Sequence, residues 1–465
     1  MSLASALEIG KSGLKIYQVA SEVVSENIAN VNTPGYSRQR VILEDAPPST
    51  ANGFPLGTGV RISSVERYYD ALLQKQLVNA ETTSGYDTAK STVLQQIEPV
   101  FNEIAQDGLG AAISDFFNSW QDLSLNPTGN AERQAVLDKG QILSDQFNYV
   151  SRTLNNAIVA QNDALPSMKD DVNQILSNIA KLNGQIKVTE QVEGNANEMR
   201  DQRDYLVRQL AENMAISTVE NSDGTTDITY SDATAGSPYA LVTGSNAATL
   251  SIITTGGFLA DGITPRNDLQ ITPAGGGATT TIAPTTGKLG ATVVTRDTTL
   301  PAYLTQVNTL AVNLATQVNT QNRAGFDLNG VAVTIDFFSP STGAGTIAVN
   351  PAMTTTFIGA SGAVGVKGDN ANALLLAGLN SANGYSTSYN TLMAQVGLDV
   401  QTANTVVTQD SAFMKQLTTL RDSNSGVSLD EELTDLMKYQ RSYQASAKLI
   451  TTAGEMMDTI IAMMR

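Results

Sequence analysis

The two ends of this chain carry the same apolar spacing, and no other feature restricts its folds as much. Near the start, Leu3, Leu7, Gly10, Leu14, Tyr17, Ser21, Val24, Ile28 and Val31 recur at alternating steps of four and three. At the other end, Leu433, Leu436, Gln440, Tyr443, Ala447, Ile450, Gly454, Met457, Ile461 and Met464 do the same. Steps of this kind put one seam along a helix, the heptad signature of helices that pack side by side. The first helix is predicted to end at Asn32-Thr33-Pro34-Gly35. Pro34 disfavours helix at Thr33, and Pro-Gly suits the centre of a type II turn. The last helix is predicted to start near Ser428, with Ser428 and Glu431 as a capping box and Asp430, Glu431 and Glu432 facing the positive helix end. At 1.5 Å per residue it would run roughly 50 Å.

Between the ends the texture changes in blocks. Residues 36–65 read as extended, with short strands at Val41-Ile42-Leu43 and Gly59–Ile62. Runs 68–104, 108–125 and 130–212 read as helical, the last with breaks near Pro166 and Gly194. Residues 216–299 and 326–373 are rich in Thr, Gly, Ala and Ser and read as β-rich inserts. Helix returns at 300–324, with Leu304, Val307, Leu310, Leu314 and Val318 on one face, and at 386–421. The expected class is α+β and multidomain. A terminal helical coiled-coil domain comes from 1–65 and 425–465, and a helical rod domain from 66–215, 300–325 and 374–424. The inserts 216–299 and 326–373 form the β-rich outer part. The simplest geometry folds the chain back on itself, pairs the termini and carries both inserts to the far end.

A terminal helix of this kind has little to bury against by itself, and helices without tertiary partners are marginal in water. Two readings stand: the termini form an ordinary intramolecular helical hairpin, or both are loose in the monomer and order on packing against neighbouring subunits. On the second, the candidate assembly interface is Leu3, Leu7, Leu14, Tyr17, Val24, Ile28, Val31, Leu433, Leu436, Tyr443, Ile450, Met457, Ile461 and Met464. Methionine there suits contact with non-identical neighbours, because its side chain adapts.

Composition removes several alternatives. With 465 residues the chain exceeds one core, and roughly two to four domains are expected. The net charge of −17 argues against nucleic acid and anionic membrane surfaces as partners. With no cysteine and no histidine, disulfides, thiolate or imidazole metal sites and Ser-His-Asp chemistry are excluded. No catalytic, cofactor or metal residue is expected. The N-terminal sequence lacks the pattern of a secretory leader, and no segment has the length of apolar sequence a membrane span needs. Gly57-Thr58-Gly59, Gly275-Gly276-Gly277, Asp223-Gly224 and Asp327–Gly330 read as turns, since none has a full phosphate-loop or calcium-loop pattern. Asp170-Asp171 reads as a solvated helix face, and Arg200, Asp201, Arg203 and Asp204 as surface or subdomain salt bridges worth on the order of 0–1 kcal/mol each.

The run Asn27-Ile28-Ala29-Asn30-Val31-Asn32-Thr33-Pro34-Gly35-Tyr36 resembles the N-terminal signature of flagellar rod, hook and hook-associated proteins, with Asn30, Asn32, Thr33, Pro34, Gly35 and Tyr36 as the signature turn. Phe116–Leu123, Asn126-Pro127, Arg133–Leu137, Leu182–Ile186, Asn197–Asp204, Asn319–Gly325, Phe337-Phe338 and Val427–Met464 resemble the hook-associated protein 1 family. Glu198-Met199 stands where an Asp-Leu-type pair is expected, and Arg323 where His is common. The resemblance covers the ends and the inner helices, and nothing is matched in 216–299 or 331–373. It implies a structural, non-enzymatic subunit that forms a homo-oligomeric ring at the hook–filament junction, outside the cell. It further implies hook protein and a second junction protein as partners, type III export from the cytoplasm, and an export chaperone on the C-terminal helix. Helix after the signature argues against hook protein, and the Asn-Thr-Pro-Gly-Tyr turn argues against flagellin. A secreted enzyme would have to lie in 216–299, whose only acids are Glu220, Asp223, Asp227, Asp232, Asp261, Asp268 and Asp297.

Overall fold

The computed structural model describes residues 3–48, 57–101, 108–192, 194–230, 238–254 and 256–463. Helix α1 (Leu3–Ala29) lies antiparallel to α10 (Leu429–Met463). A hairpin of β1 (Gln39–Asp45) and β2 (Val60–Arg67) follows α1, with a bulge at Ile42/Leu43. The chain then enters a rod of helices: α2 (Ala71–Phe101), α3 (Leu109–Leu125), α4 (Asn130–Val192) and α5 (Asn197–Asn213). Later come α6 (Gly287–Val294), α7 (Leu300–Arg323), α8 (Ala371–Asn383) and α9 (Tyr385–Ser425).

One large core lies in the half of the rod where α3 and the start of α4 pack on α7, α8 and α9. Its centre is aromatic. Phe116 meets Phe337 and Phe338 at ring centroid distances of 5.5 and 5.7 Å, and Trp120 meets Phe337 at 5.8 Å. A second core joins the later half of α4 and α5 to two small antiparallel sheets. These are β3 (Ile216–Glu220), β4 (Thr226–Tyr230), β5 (Tyr239–Thr243) and β6 (Asn246–Ala247), then β7 (Thr249–Ile253), β8 (Asp268–Thr272) and β9 (Thr280–Ile282). Asn173 and Asn183 of α4 reach into them, bonding the backbone of Leu250 and of Thr226 and Gly244.

Four expectations are corrected. Helix α4 runs unbroken through Pro166. The proline removes one backbone bond, but flanking Leu165 and Met168 are buried in the second core and hold the helix together. Strand structure in the first insert ends at Ile282, and 287–299 is helix, joined to α7 by a π-helical turn, Thr295–Thr299, just ahead of Pro301. The segment 326–373 is not β-rich. Up to residue 370 it has only isolated bridges, such as Phe338 with Val349, and one short 3₁₀ turn among the described residues, and α8 begins at Ala371. Side chains of the helices take the place of a ladder there. Asn319 bonds both N–H and C=O of Phe338, Asn322 accepts from Gly359, and Arg133 donates to the carbonyls of Thr355 and Ile358. Finally, the two inserts do not lie together. Segment 326–373 covers the far half of the rod, whereas the sheets flank the half of α4 that runs toward the terminal helices.

Candidate assembly interface

The α1–α10 pair is held by close approach rather than by bulk. A Cβ at Gly10 would stand 2.6 Å from Ile450 Cγ1, and one at Gly13 would stand 2.7 Å from Ser446 Oγ. Tyr17 stacks on Tyr439 at 6.3 Å, and Asn27 Nδ2 donates to Glu432 at 3.0 Å. Ile16, Ala20, Val23, Val24 and Asn27 are buried on α1, but only Glu432 and Ala453 are buried on α10. The seam on α10 therefore passes through 432, 439, 446, 450 and 453.

The expected interface residues divide accordingly. Val24 is buried; Leu3, Leu7, Leu14, Tyr17, Ile28, Val31, Leu436 and Ile450 are half-buried; Leu433, Tyr443, Met457 and Ile461 are exposed. Met464 lies outside the described residues. The register of the pair sets Leu3 opposite Met456, so the rest of α10 runs on past it. That overhang is apolar: Ile460 is 46% exposed, Ile461 56% and Met463 83%.

The signature turn takes the expected form. Tyr36 N–H donates to Thr33 O at 3.2 Å, and Gly35 has φ of +84°, a value only glycine adopts freely. Asn30 Oδ1 accepts from Thr33 Oγ1, while Asn32, Thr33 and Pro34 are exposed. Past the turn the chain enters a polar joint. Asn27, buried, accepts through Oδ1 from Tyr36 Oη and Gln39 N–H, and donates through Nδ2 to Gln39 O and Glu432. Burial is the first cause, and the charge of Glu26 the second, of a Tyr36 hydroxyl pushed far above its ordinary value. Arg38 pairs with Glu431 and Glu432 of α10, both at 2.6 Å. Glu431, expected in a capping box with Ser428, is taken by this contact.

Asp201 of α5 closes the joint. It accepts from Ser37 N–H at 2.7 Å, Ser37 Oγ at 2.8 Å and Arg67 Nη1 at 2.6 Å. Burial pushes the Asp201 carboxyl up even with Arg67 and Ser37 opposing it, so the contact supplies direction more than net attraction. Asp201 is thus a buried part of the joint, paired between subdomains, while buried Arg203 turns the other way and donates to Asn183 Oδ1 of α4 and to Gly224 O. Arg38, Arg67, Asp201 and Glu432 were not singled out as functional from sequence, and no local pattern links Ser37 to a residue 164 positions away.

Comparison with known proteins fits this geometry part by part. The model of the flagellar hook-associated protein FlgK helical domain matches residues 94–338. The flagella basal body rod protein model matches 7–36, and the flagellar basal body rod FlgEFG protein C-terminal model matches 421–463. Flagellar hook-associated protein 1 of Bacillus subtilis is 30% identical over 98% of this chain and 97% of its own length. The chain belongs to the flagellar hook-associated protein 1 (FlgK) family. The Escherichia coli member is 27% identical over 99% of this chain and all of its own. The structure of the flagellar hook junction protein FlgK from Burkholderia pseudomallei superposes with a TM-score of 0.63 at 16% identity, over 75% of this chain and all of that one, and so shares the fold. As a member of this family the protein is a structural component of the flagellum that assembles with other flagellar components. Its relatives are structural proteins, not enzymes.

Of the remaining candidate signals, the aspartate loops and the Gly275 run lie at turns, whereas Gly57-Thr58-Gly59 leads straight into β2 without one. Asp223 bonds Thr225, and Asp327 Oδ1 accepts from the N–H groups of Asn329 and Val331. Gly275, Gly276 and Gly277 all have positive φ. Among the described residues no group of three or more His, Cys, Asp or Glu is placed to hold a metal, and no helix is long and apolar enough to cross a membrane.

Proposed function

We propose that this protein joins hook to filament. It polymerises through α1 and α10 into a homo-oligomeric ring that meets hook protein on one side and a second junction protein on the other. It is exported from the cytoplasm by the flagellar type III apparatus, with an export chaperone covering α10 beforehand, and works outside the cell without catalysis. Three units serve this role: the terminal pair with its hairpin, the helical rod, and the sheets of the first insert.

The observation that carries the reading is the open apolar face of α10. Leu433, Met437, Tyr443, Met456, Met457, Ile460 and Ile461 stand exposed on one helix of a protein whose relatives are axial flagellar components. Covering a half-exposed side chain of this size contributes about 1 kcal/mol, so the set can order a terminal helix against neighbours. The same face, left bare, would invite premature association, which is the reason for a chaperone.

The test is electron microscopy of flagella from a strain lacking the protein, beside the same strain carrying a version that ends before Ser428. Hooks without filaments and flagellin free in the medium are expected in both. Normal filaments in the deletion strain would sink the junction reading, and normal filaments with the truncated version would sink the role of α10.

A further inference from the structure

The terminal pair gathers positive charge in its middle. From residue 9 to residue 21 α1 carries Lys11 and Lys15 and no acid, and from 436 to 454 α10 carries Lys438, Arg441 and Lys448 and no acid. Gly10 lies against Ile450 and Gly13 against Ser446, so Lys11 stands level with Lys448 and the two runs make one belt. Acids flank it at both ends: Glu22, Asp430, Glu431 and Asp435 toward the joint, and Glu8, Glu455 and Asp458 toward the free end of the pair. A chain of net charge −17 thus keeps a cationic island on its two terminal helices.

The belt is left open by the fold. Lys11, Lys15, Arg441 and Lys448 are exposed and make no ion pair among the described residues, whereas Lys438 reaches Asp435 at 3.8 Å. Glu8, Lys11, Lys15 and Glu22 follow steps of three, four and seven and share one face of α1; Arg441, Lys448 and Glu455 follow steps of seven and share one face of α10. Each of these last three stands two residues, or about 200°, past the seam residues 439, 446 and 453, turned away from α1. The α1 stripe likewise turns away from buried Ile16, Ala20 and Val23. The two charged stripes therefore look out on opposite sides of the pair.

A broad polyanionic surface would meet the flanking acids together with the belt. A second copy of the chain brings the same alternation of signs and can match it. Two copies at one level would set Lys448 of one against Lys11 of the other, cation on cation. Displaced by eleven residues toward the joint, about 16 Å, Lys448 comes level with Glu22 and Glu455 with Lys15. Opposite charges then face each other at both places, and the level arrangement is repelled.

We propose that the belt is a docking surface for a second copy of this chain, in which the α10 stripe of one copy meets the α1 stripe of the next through Lys448 with Glu22 and Glu455 with Lys15. This rests on assembly through α1 and α10 and adds what sets the register: apolar side chains supply adhesion, and the charges fix the displacement. A ring of such neighbours is stepped rather than flat.

Charge exchange tests the pairing in the strain lacking the protein, complemented with the full chain carrying Glu22→Lys, Lys448→Glu or both. Each single change sets like charges together between copies, and attached filaments per cell should fall about tenfold. With both changes the pair is rebuilt with its signs exchanged, and filament number should return to within about twofold of wild type. Within one chain the two residues lie on opposite sides of the pair and about 16 Å apart along it, so this rescue arises only between copies. The chain has no cysteine, so thiols read the register directly, without any filament. Under oxygen with copper phenanthroline, concentrated full chain carrying Glu22→Cys with Lys448→Cys should give a ladder of cross-linked oligomers, and Lys11→Cys with Lys448→Cys should not. A ladder alongside normal filaments in the deletion strain would remove the junction reading and leave this docking standing. Wild-type filament number in both single variants, a double variant no better than the singles, or a ladder from the level thiols overturns the proposal. A defect in Lys448→Glu alone, unrepaired by Glu22→Lys, also overturns it and assigns the belt to an acidic partner of another kind.

Discussion

Replacing Asp201 by Ala should release the joint without unfolding the rod. The change deletes an acceptor of three bonds: Ser37 N–H, Ser37 Oγ and Arg67. Arg67 keeps Asp204 at 2.8 Å, so it is not left as a bare buried cation. The Ser37 N–H keeps nothing of comparable quality, and a buried donor left unmade costs about 1–3 kcal/mol. Loss of the bond from its hydroxyl to a charged group adds about 1.5 kcal/mol, which sets the local cost near 3 kcal/mol. A whole-chain melt would blur this, because a protein with two separate cores need not unfold in one step. Hydrogen exchange at the Ser37 amide reads the joint alone. At 1.4 kcal/mol per factor of ten, protection there should fall roughly 100-fold, while amides of the second core at Leu210 and Ile228 stay unchanged. A fall of less than about threefold would mean that water replaces Asp201 at little cost, and the joint is not held as argued.

Three further outcomes follow from the same geometry. Gly10→Leu drives a side chain into Ile450 and should cost the α1–α10 pair about 1–3 kcal/mol, seen as faster proteolysis of both termini; unchanged cleavage would contradict the close approach. Met457→Asp with Ile461→Asp changes exposed positions, so monomer stability should move by less than about 0.5 kcal/mol while polymerisation is lost; wild-type polymerisation would remove the overhang from the interface. Arg133→Ala leaves the carbonyls of Pro127 and Thr355 without their donor, takes one of two donors from Ile358 O, which keeps the Ala360 N–H, and should lower stability of the far core by about 3 kcal/mol in urea; a change under about 1 kcal/mol would show that 326–361 is not held by this residue.

The helices and the turn could be read from sequence because their signals are local. Heptad steps, Pro34-Gly35 and the Asn-Pro break at 126–127 each report on a few neighbouring residues, and the structure has a helix or a turn at each. The segment 326–373 could not be read, since its backbone is satisfied by Arg133, Asn319 and Asn322 from distant helices and its Thr-Gly texture only looks like strand. Arg38 and Asp201 were hidden for the same reason. Each is an ordinary charged residue until the fold brings its partner across: Glu431 from 393 positions away and Ser37 from 164. The one-residue offset between the expected heptad on α10 and its buried seam has a different cause. A helix with apolar groups on two faces leaves the choice of inner face to the partner, and the small Gly10 and Gly13 on α1 decide it.

Helix α4 deserves a mechanical reading. Its 63 residues span about 95 Å without a break and belong to both large cores. A torque applied at one end cannot be absorbed by a flexible linker midway, because there is none; it must travel down one hydrogen-bonded shaft. Compliance is then confined to the short polar joint at the shaft's end. A part built like this is a stiff spoke on a soft bearing: load along the rod is carried by the shaft, and yielding starts at the joint.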